Sequence, residues 1–563
     1  RRFWAIYQKP PKAEYRDYLL ERRDSLIPND ERIFKGAYYT PLHLVDKAYE
    51  KLNDVLGKNW QKDYIIWDMC CGVGNLEVKH SNHRNLFMST LDNDDIEIMR
   101  ATKTCVAANR FQYDYLNDDI NDSGEIDYNI TEKVPKDLRE AILEKKKILV
   151  LINPPYAESG SGIGKGKLNK KEVEKTQINK LMKTDETGYA SKELFVQFLA
   201  RISAEIPTAT IAMFSTLKYI NAPNFEKFRQ KWSAKYLGGF IVHNKSFDGL
   251  KGNFPIGFLM WKTDQKRTEK WVIDSISTDV LDKNIKPIGE KKFFNLPKAS
   301  FLNVWMKKSK TNNELALPLS NAITISKNPR KKMSCDNMKG FLFAGNNDLQ
   351  NASTGTLISS SIYTGRNGGG VYLDDTNIWQ AAIVFSVRRL IKPTWLNDRD
   401  QFLQTNENLT DEFKNDCLVW MLFNGSNLTA SANEIEWKGK NWSLVNHFIP
   451  FNEQEVNAPE RFESDFMVQY MADKKFSDEA KAVLAEGKKL WQAYFEHTDS
   501  RNIREELRLG RADVGWYQIR KVIEYRNSSE YYPAVSFIPF KEAYNSLTKK
   551  LQPMVYDLGF LKR

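Results

Sequence analysis

The chain alternates short apolar runs with polar turns and longer amphipathic stretches. Tyr64 to Trp67 is a brief apolar run suited to a buried strand, and Phe87 to Leu91 suits a second. A third, aromatic and β-prone, ends at Asp114 in "RFQYDYLNDDI", and Ile148 to Ile152 is wholly apolar. From Ser191, "SKELFVQFLARISAEI" places Leu194, Phe195, Phe198, Leu199 and Ile202 at helical spacing. Thr208 to Phe214 reads as the next strand, and "GGFIVHNKSFDGLKGNFPIGFLMWK" as two strands around a glycine-rich loop. Strands interleaved with a helical pattern predict an α/β fold built on a mostly parallel sheet. Far downstream, "SDEAKAVLAEGKKLWQAYFEH" predicts an amphipathic helix. Ser477 is its cap, and Val483, Leu484, Leu490, Trp491, Tyr494 and Phe495 lie near one face.

At 563 residues the chain is too long for one ordinary domain. Its 41% hydrophobic and 28% charged content is that of a folded protein. No window has the apolar length of a membrane helix. A net charge of +11 favours an anionic partner, nucleic acid above all. The five cysteines, an odd and sparse set, predict a reduced, intracellular protein. Cys70 and Cys71 lie near His80 and His83, but adjacent cysteines lack zinc-ligand spacing, and no metal is expected. The first residues, "RRFWAIYQKPPK", contain neither a methionine nor an apolar signal core, so a piece of a longer chain is expected.

The chemistry gathers at predicted strand ends. "DYIIWDMCCGVGNLEV" sets Asp68 at the end of the first strand, with Gly72 and Gly74 in a tight turn and a helix expected to open at Leu76 to Val78. Glycines there let a backbone approach a ligand beyond the carboxyl ends of parallel strands. Asp92 ends the second strand, at a spacing suited to ribose hydroxyls, and Asp114 ends the third. The third glycine of a dinucleotide fingerprint is absent, which counts against NAD and leaves other adenosine-containing cofactors.

After the fourth strand comes "NPPY", Asn153 to Tyr156. Two prolines fix φ and remove two backbone donors, so nearby carbonyls can face outward. The Asn153 amide oxygen and the Pro154 carbonyl suit the two hydrogens of an exocyclic amine, and Tyr156 offers a stacking face. Such hydrogen bonds draw the nitrogen toward tetrahedral geometry and make it more nucleophilic. No strong base is needed, since the proton can leave after attack.

NPPY after an apolar strand resembles motif IV of S-adenosylmethionine-dependent amino-methyltransferases, and "DMCCGVG" is similar to their "DPACGSG" motif I, with Met69 in place of proline. Asp92 and Asp114 match the acids of motifs II and III. "KGAYYTPLHLVDKAYEKL" resembles motif X, matching at Tyr39, Thr40 and Pro41. The order over roughly residues 30–262 is similar to the gamma arrangement of DNA adenine-N6 methyltransferases of restriction–modification systems. The resemblance implies a doubly wound Rossmann-like sheet with a late antiparallel hairpin and a separate α+β target-recognition region. S-adenosylmethionine is the implied cofactor, held by Tyr39, Thr40, Pro41, Asp68, Cys70, Gly72, Gly74, Asp92, Asn93, Asp114, Tyr115 and Asn153. Catalysis is implied at Asn153, Pro154, Pro155 and Tyr156. Phe247 is the nearest match to an aromatic that packs on the flipped base; a core residue at a strand end is the equal alternative. The implied partner is double-stranded DNA, read by a cytoplasmic protein of bacterial or phage origin. The chain is also compatible with the modification and recognition part of a fused type IIG-like restriction enzyme, whose nuclease domain or subunit lies upstream of Arg1.

The expected organisation is an N-terminal helical segment or linker over 1–34, a catalytic domain over 35–262, and a target-recognition region over 263–563 with a helical end. Methylation of RNA bases or of a protein glutamine amide is an alternative, but such enzymes are usually shorter and lack a 300-residue region after the hairpin. A non-catalytic DNA-reading subunit is another, opposed by the intact motif residues. From Gly160 to Lys183, seven lysines stand against two glutamates. Beside the pocket, that loop is either a solvated surface or a contact to phosphates around an extruded base. In "TGRNGGGVYL", Arg366 and Asn367 are types that read base edges, though a hairpin turn serves as well; Arg388, Arg389 and Lys392 are compatible with phosphate contacts. Glu436 and Lys438 have the E-x-K spacing of some nucleases, a pattern common by chance.

Overall fold

A computed structural model describes residues 40–121, 123–156, 175–185, 187–247, 250, 252–296, 299–306, 316–326, 337–363, 370–405, 407–496, 515–526 (backbone alone at 524–526) and 536–563. Tyr39, the lysines Lys165, Lys167, Lys170 and Lys171, and Arg366 and Asn367 lie outside them. The chain divides into two compact units, 1–297 and 298–563.

The first unit is built on a nine-stranded sheet: β1 (Ile65–Asp68), β2 (Leu86–Thr90), β3 (Asn109–Gln112), β4 (Ile148–Ile152), β5 (Thr210–Thr216), β6 (Ala234–His243), β7 (Pro255–Thr263), β8 (Ser275–Leu281) and β9 (Pro287–Phe294). Their spatial order is β3-β2-β1-β4-β5-β7-β6-β8-β9. The first five are parallel, and β7 enters antiparallel between β5 and β6. This is the doubly wound, Rossmann-like order with a late hairpin. The α-helices of this unit include α1 (Leu42–Leu56), α2 (Asn93–Ala101), α3 (Lys136–Leu143), α4 (Gln177–Thr184) and α5 (Leu194–Glu205). Every residue of β2 and β4 is buried, as expected of central parallel strands.

The chain runs outward from β1 through β2 to β3, then returns to place β4 on the other side of β1. That reversal makes a crevice at the carboxyl ends of β1 and β4, the usual ligand position in such sheets. Asp68 and Asn153 stand at those ends. The boundary read at 262 falls inside the final residues of β7. The sheet runs on through β8, which pairs with β6, and β9, so the first compact unit reaches Pro297.

In the second unit a four-stranded sheet, β10 (Gly340–Ala344), β11 (Thr356–Ser359), β12 (Gly370–Leu373) and β13 (Asn427–Leu428), has the order β12-β10-β11-β13. With it go α6 (Ile378–Leu390), α7 (Asp411–Leu422), α8 (Asp478–Glu496), α9 (Trp516–Arg526) and α10 (Ile538–Asp557), sharing one core that includes Phe423, Trp491, Trp516 and Phe540. Ser477 caps α8, accepting a hydrogen bond from Ala480 N at 3.2 Å. The region is thus α+β. Arg388 is not placed for phosphate: it is fully buried, and its guanidinium donates to Thr356 Oγ1 (2.8 Å) and to the Gly345 carbonyl. Glu436 and Lys438 belong to an exposed hairpin of β14 (Ala432–Trp437) and β15 (Lys440–Leu444).

Candidate active site

Asp68 ends β1 and is 1% exposed. The turn folds back on it, so that Cys70 N donates to Asp68 Oδ1 at 2.8 Å. Gly72 and Gly74 follow in left-handed conformations, φ 51° and 80°. Gly74 is constrained twice, because a Cβ there would lie 2.7 Å from Met88 Cε on β2. The helix expected at Leu76 to Val78 does not form. Gly74 N donates to Cys71 O and His80 N to Glu77 O, and these successive three-residue turns use donors that a helical nucleus would need. Their effect is to bury Leu76 and Glu77 while Val78 faces outward.

The NPPY segment meets this turn. Burial and the neighbouring Asp68 and Glu77 push the Cys70 thiol well up, so it stays protonated as a donor to Asp68, with the Asn153 backbone N–H facing its sulfur. Asn153 is held at both ends of its amide. Its Nδ2 donates to Thr40 Oγ1 at 3.0 Å, and its Oδ1 accepts from the Tyr156 hydroxyl at 2.6 Å. Thr40, just ahead of α1, is thereby joined to the end of β4 across 113 positions of sequence. Tyr156 meets Phe247 edge-on, centroids 6.3 Å apart. Phe247 is itself buried and packs on Phe214, so it floors the site. Pro154 is buried and Pro155 half-buried.

Burial raises the Asp68 carboxyl to about 6, opposed by hydrogen bonds from Glu77 and Cys70. Glu77, fully buried against it, is raised further by burial and by Asp68. Burial also pushes the Tyr156 hydroxyl up, so it stays protonated as the donor to Asn153.

No family model and no curated protein matches this chain. Solved structures do. A DrdV–DNA complex matches at 13% identity over 60% of this chain and 38% of that one, TM-score 0.35. The ATP-dependent Type ISP restriction-modification enzyme LlaBIII bound to DNA matches at 13% over 56% and 24%, TM-score 0.31. The EcoKI M protein of a Type I restriction enzyme matches at 12% over 44% and 49%, TM-score 0.25. The chain thus spans under two fifths of the first two. The overlaps are partial, and what the chain does has to be read from its own site.

The other strand-tip residues are placed differently. Asp92 precedes α2 without capping it, and Asn93 is the exposed first residue of that helix. Asp114 is tied into its own loop, accepting from Asn117 Nδ2 (2.8 Å) and Leu116 N (3.2 Å). Tyr115 does not face the crevice. Its ring stacks on Phe198, and its hydroxyl donates to Glu205 Oε2 at 2.5 Å. Arg201 donates to Asp118 O (2.8 Å), to the Tyr115 carbonyl and to the Tyr113 hydroxyl (2.6 Å). A buried Arg201–Glu205 pair on α5 thus fixes the loop that carries Asp114.

Sequence reading missed Glu77, Tyr49 and this Arg201–Glu205 pair. The signal for the pair was present, since both residues fall on the helical stripe of Phe198 and Ile202. The signal for Glu77 was weaker, an acid between Leu76 and Val78.

Proposed function

We propose that the chain transfers a methyl group from S-adenosylmethionine to the N6 amine of a flipped adenine in double-stranded DNA, as the modification enzyme of a restriction–modification system. One observation carries the reading: Asp68, which ends β1, and Asn153, which follows β4, stand at the same ends of two paired strands where the sheet reverses, with the Cys70 turn folded onto Asp68. On this reading a cofactor site and an amine-polarising site are adjacent.

The residues fit the cofactor. Its methionine end carries an α-ammonium, and the crevice holds the buried carboxyl of Asp68. The two left-handed glycines leave the turn without side chains where a ligand approaches. Thr40 and Pro41 complete that end, and Asp92, at the N-cap position of α2 with no side-chain cap bond, is read as the acid for the ribose. When bound, the cofactor supplies the activated methyl. The protein's own work lies on the amine. Asn153 Oδ1 and the Pro154 carbonyl accept its hydrogens, and Tyr156 stacks on the ring. Thr40 holds the Asn153 amide so that the oxygen faces the amine. The entering amine takes the place of the Tyr156 hydroxyl on Oδ1. The second unit is read as the part that recognises the DNA site.

The test is transfer of labelled methyl from S-adenosylmethionine to unmethylated DNA by the full chain, beside N153A. Label on DNA that N153A abolishes supports the reading. Label on RNA or protein alone would overturn it.

A further inference from the structure

Two acids meet beneath the crevice. The Glu77 side chain is fully buried, and both its oxygens are without a hydrogen-bond donor among the described residues. What they meet is the carboxyl of Asp68. Two carboxylates in contact and sealed from water cannot both ionise. Their contact is a hydrogen bond only when one holds a proton.

The surroundings decide which one. Asp68 has a backbone donor, Cys70 N at 2.8 Å, which favours its charged form. Glu77 has no such donor from another residue, and only its own backbone N–H faces its carboxyl. The Tyr49 hydroxyl, from α1, faces Glu77, Cys105 and Asp68, and it too is buried without a partner. Cys105 Sγ donates to the Glu77 carbonyl at 3.3 Å, leaving the carboxyl alone. The thiols of Cys70 and Cys71 flank the pair, with Asp95 beyond Cys71 and Arg110 beyond Cys105. Desolvation therefore falls hardest on Glu77, which keeps the proton.

Resting on the function proposed above, we infer that Glu77 is a positioning residue for the cofactor's cationic end, a neutral acid that donates to Asp68 and holds that carboxylate ionised and aimed into the crevice. Asp68 touches the ammonium, and Glu77 acts through Asp68. The Tyr49 hydroxyl closes the back of the pair. The consequence is a conservative substitution that works and an apolar one that does not, although both fill the same space.

The test is calorimetric binding of S-adenosylmethionine to the full chain between pH 5.5 and 8.5. It compares the unaltered protein, Glu77→Gln, which keeps a neutral donor, and Glu77→Met, which keeps the volume alone. Expected are affinities for Glu77→Gln within about threefold of the unaltered protein, with the same acid midpoint. Glu77→Met should bind about tenfold more weakly at pH 7, with the midpoint moved up by about one pH unit. Wild-type affinity and midpoint in Glu77→Met would overturn the inference, as would a Glu77→Gln that loses as much as Glu77→Met. If Glu77→Met fails to fold by circular dichroism, Glu77→Gln decides: retention supports the inference and a tenfold loss overturns it. Absence of binding by the unaltered protein at any pH removes the proposed function, and this inference with it.

Discussion

The Tyr156 hydroxyl donates to Asn153 Oδ1 at 2.6 Å, so the oxygen assigned to the substrate amine already has a donor. In the proposed function Tyr156 is thus both the stacking face and a competitor for the acceptor. Tyr156→Phe removes the competitor and keeps the ring, so single-turnover methylation should persist within about tenfold of the unaltered rate. Asn153→Ala removes the acceptor itself. Groups preorganised at a reacting centre are commonly worth 10²–10³ in rate, and a loss of at least about that size is expected in the same assay.

Thr40 tests the orientation of that amide. Its Oγ1 accepts from Asn153 Nδ2 at 3.0 Å and so fixes which end faces the substrate. Thr40→Val keeps the shape and removes the acceptor. A hydrogen bond of this kind contributes about 1 kcal/mol, so methylation should slow by roughly fivefold to tenfold. Serine, which restores an acceptor, should recover most of the rate.

Asp68 links function to stability with a definite sign. Burial raises its carboxyl to about 6, above the ordinary 3.8. The folded state therefore binds the proton more tightly than the unfolded one. The stability this provides is present below about pH 4 and is lost as pH rises toward 6. Asp68→Asn removes that loss and keeps an acceptor for Cys70 N. The first unit should gain up to about 3 kcal/mol at pH 7.5 relative to pH 4 in urea unfolding, while cofactor binding disappears. A variant less stable at pH 7.5 would contradict the assignment of a buried, ionised Asp68.

Gly74→Ala places a Cβ at φ 80° and 2.7 Å from Met88 Cε. The backbone term alone costs about 1–2 kcal/mol. Thermal unfolding should show the loss, and cofactor affinity should fall with it because the turn beneath Asp68 must shift.

Much of this site was legible in the pattern of residues. Ile148–Ile152 is a strand with the expected bounds because a central parallel strand is buried on both faces and leaves no polar position to blur it. Asp68 and Asn153 were findable because each ends such a run. What escaped depended on neighbours far apart in sequence. Tyr115 looks like a strand-tip residue, yet it serves a buried pair on α5. Arg388 lies in a basic cluster, but α6 turns it inward. β8 carries an alternating pattern over Ser275–Leu281 that the boundary at 262 passed over. β9 has no alternating apolar pattern, because it is the sheet's edge, exposed along most of its length and carrying Lys291 and Lys292. Glu77 left only a weak signal because its partner is another acid, an arrangement that spacing does not advertise.

The central claim, transfer to the adenine amine, is tested most directly by identifying the product. The full chain is incubated with S-adenosylmethionine and unmethylated double-stranded DNA, the DNA is digested to nucleosides, and these are separated by mass spectrometry. The account predicts N6-methyladenine, absent when Asn153→Ala is used. Methylcytosine, or DNA that stays unmodified while the cofactor binds, would contradict it.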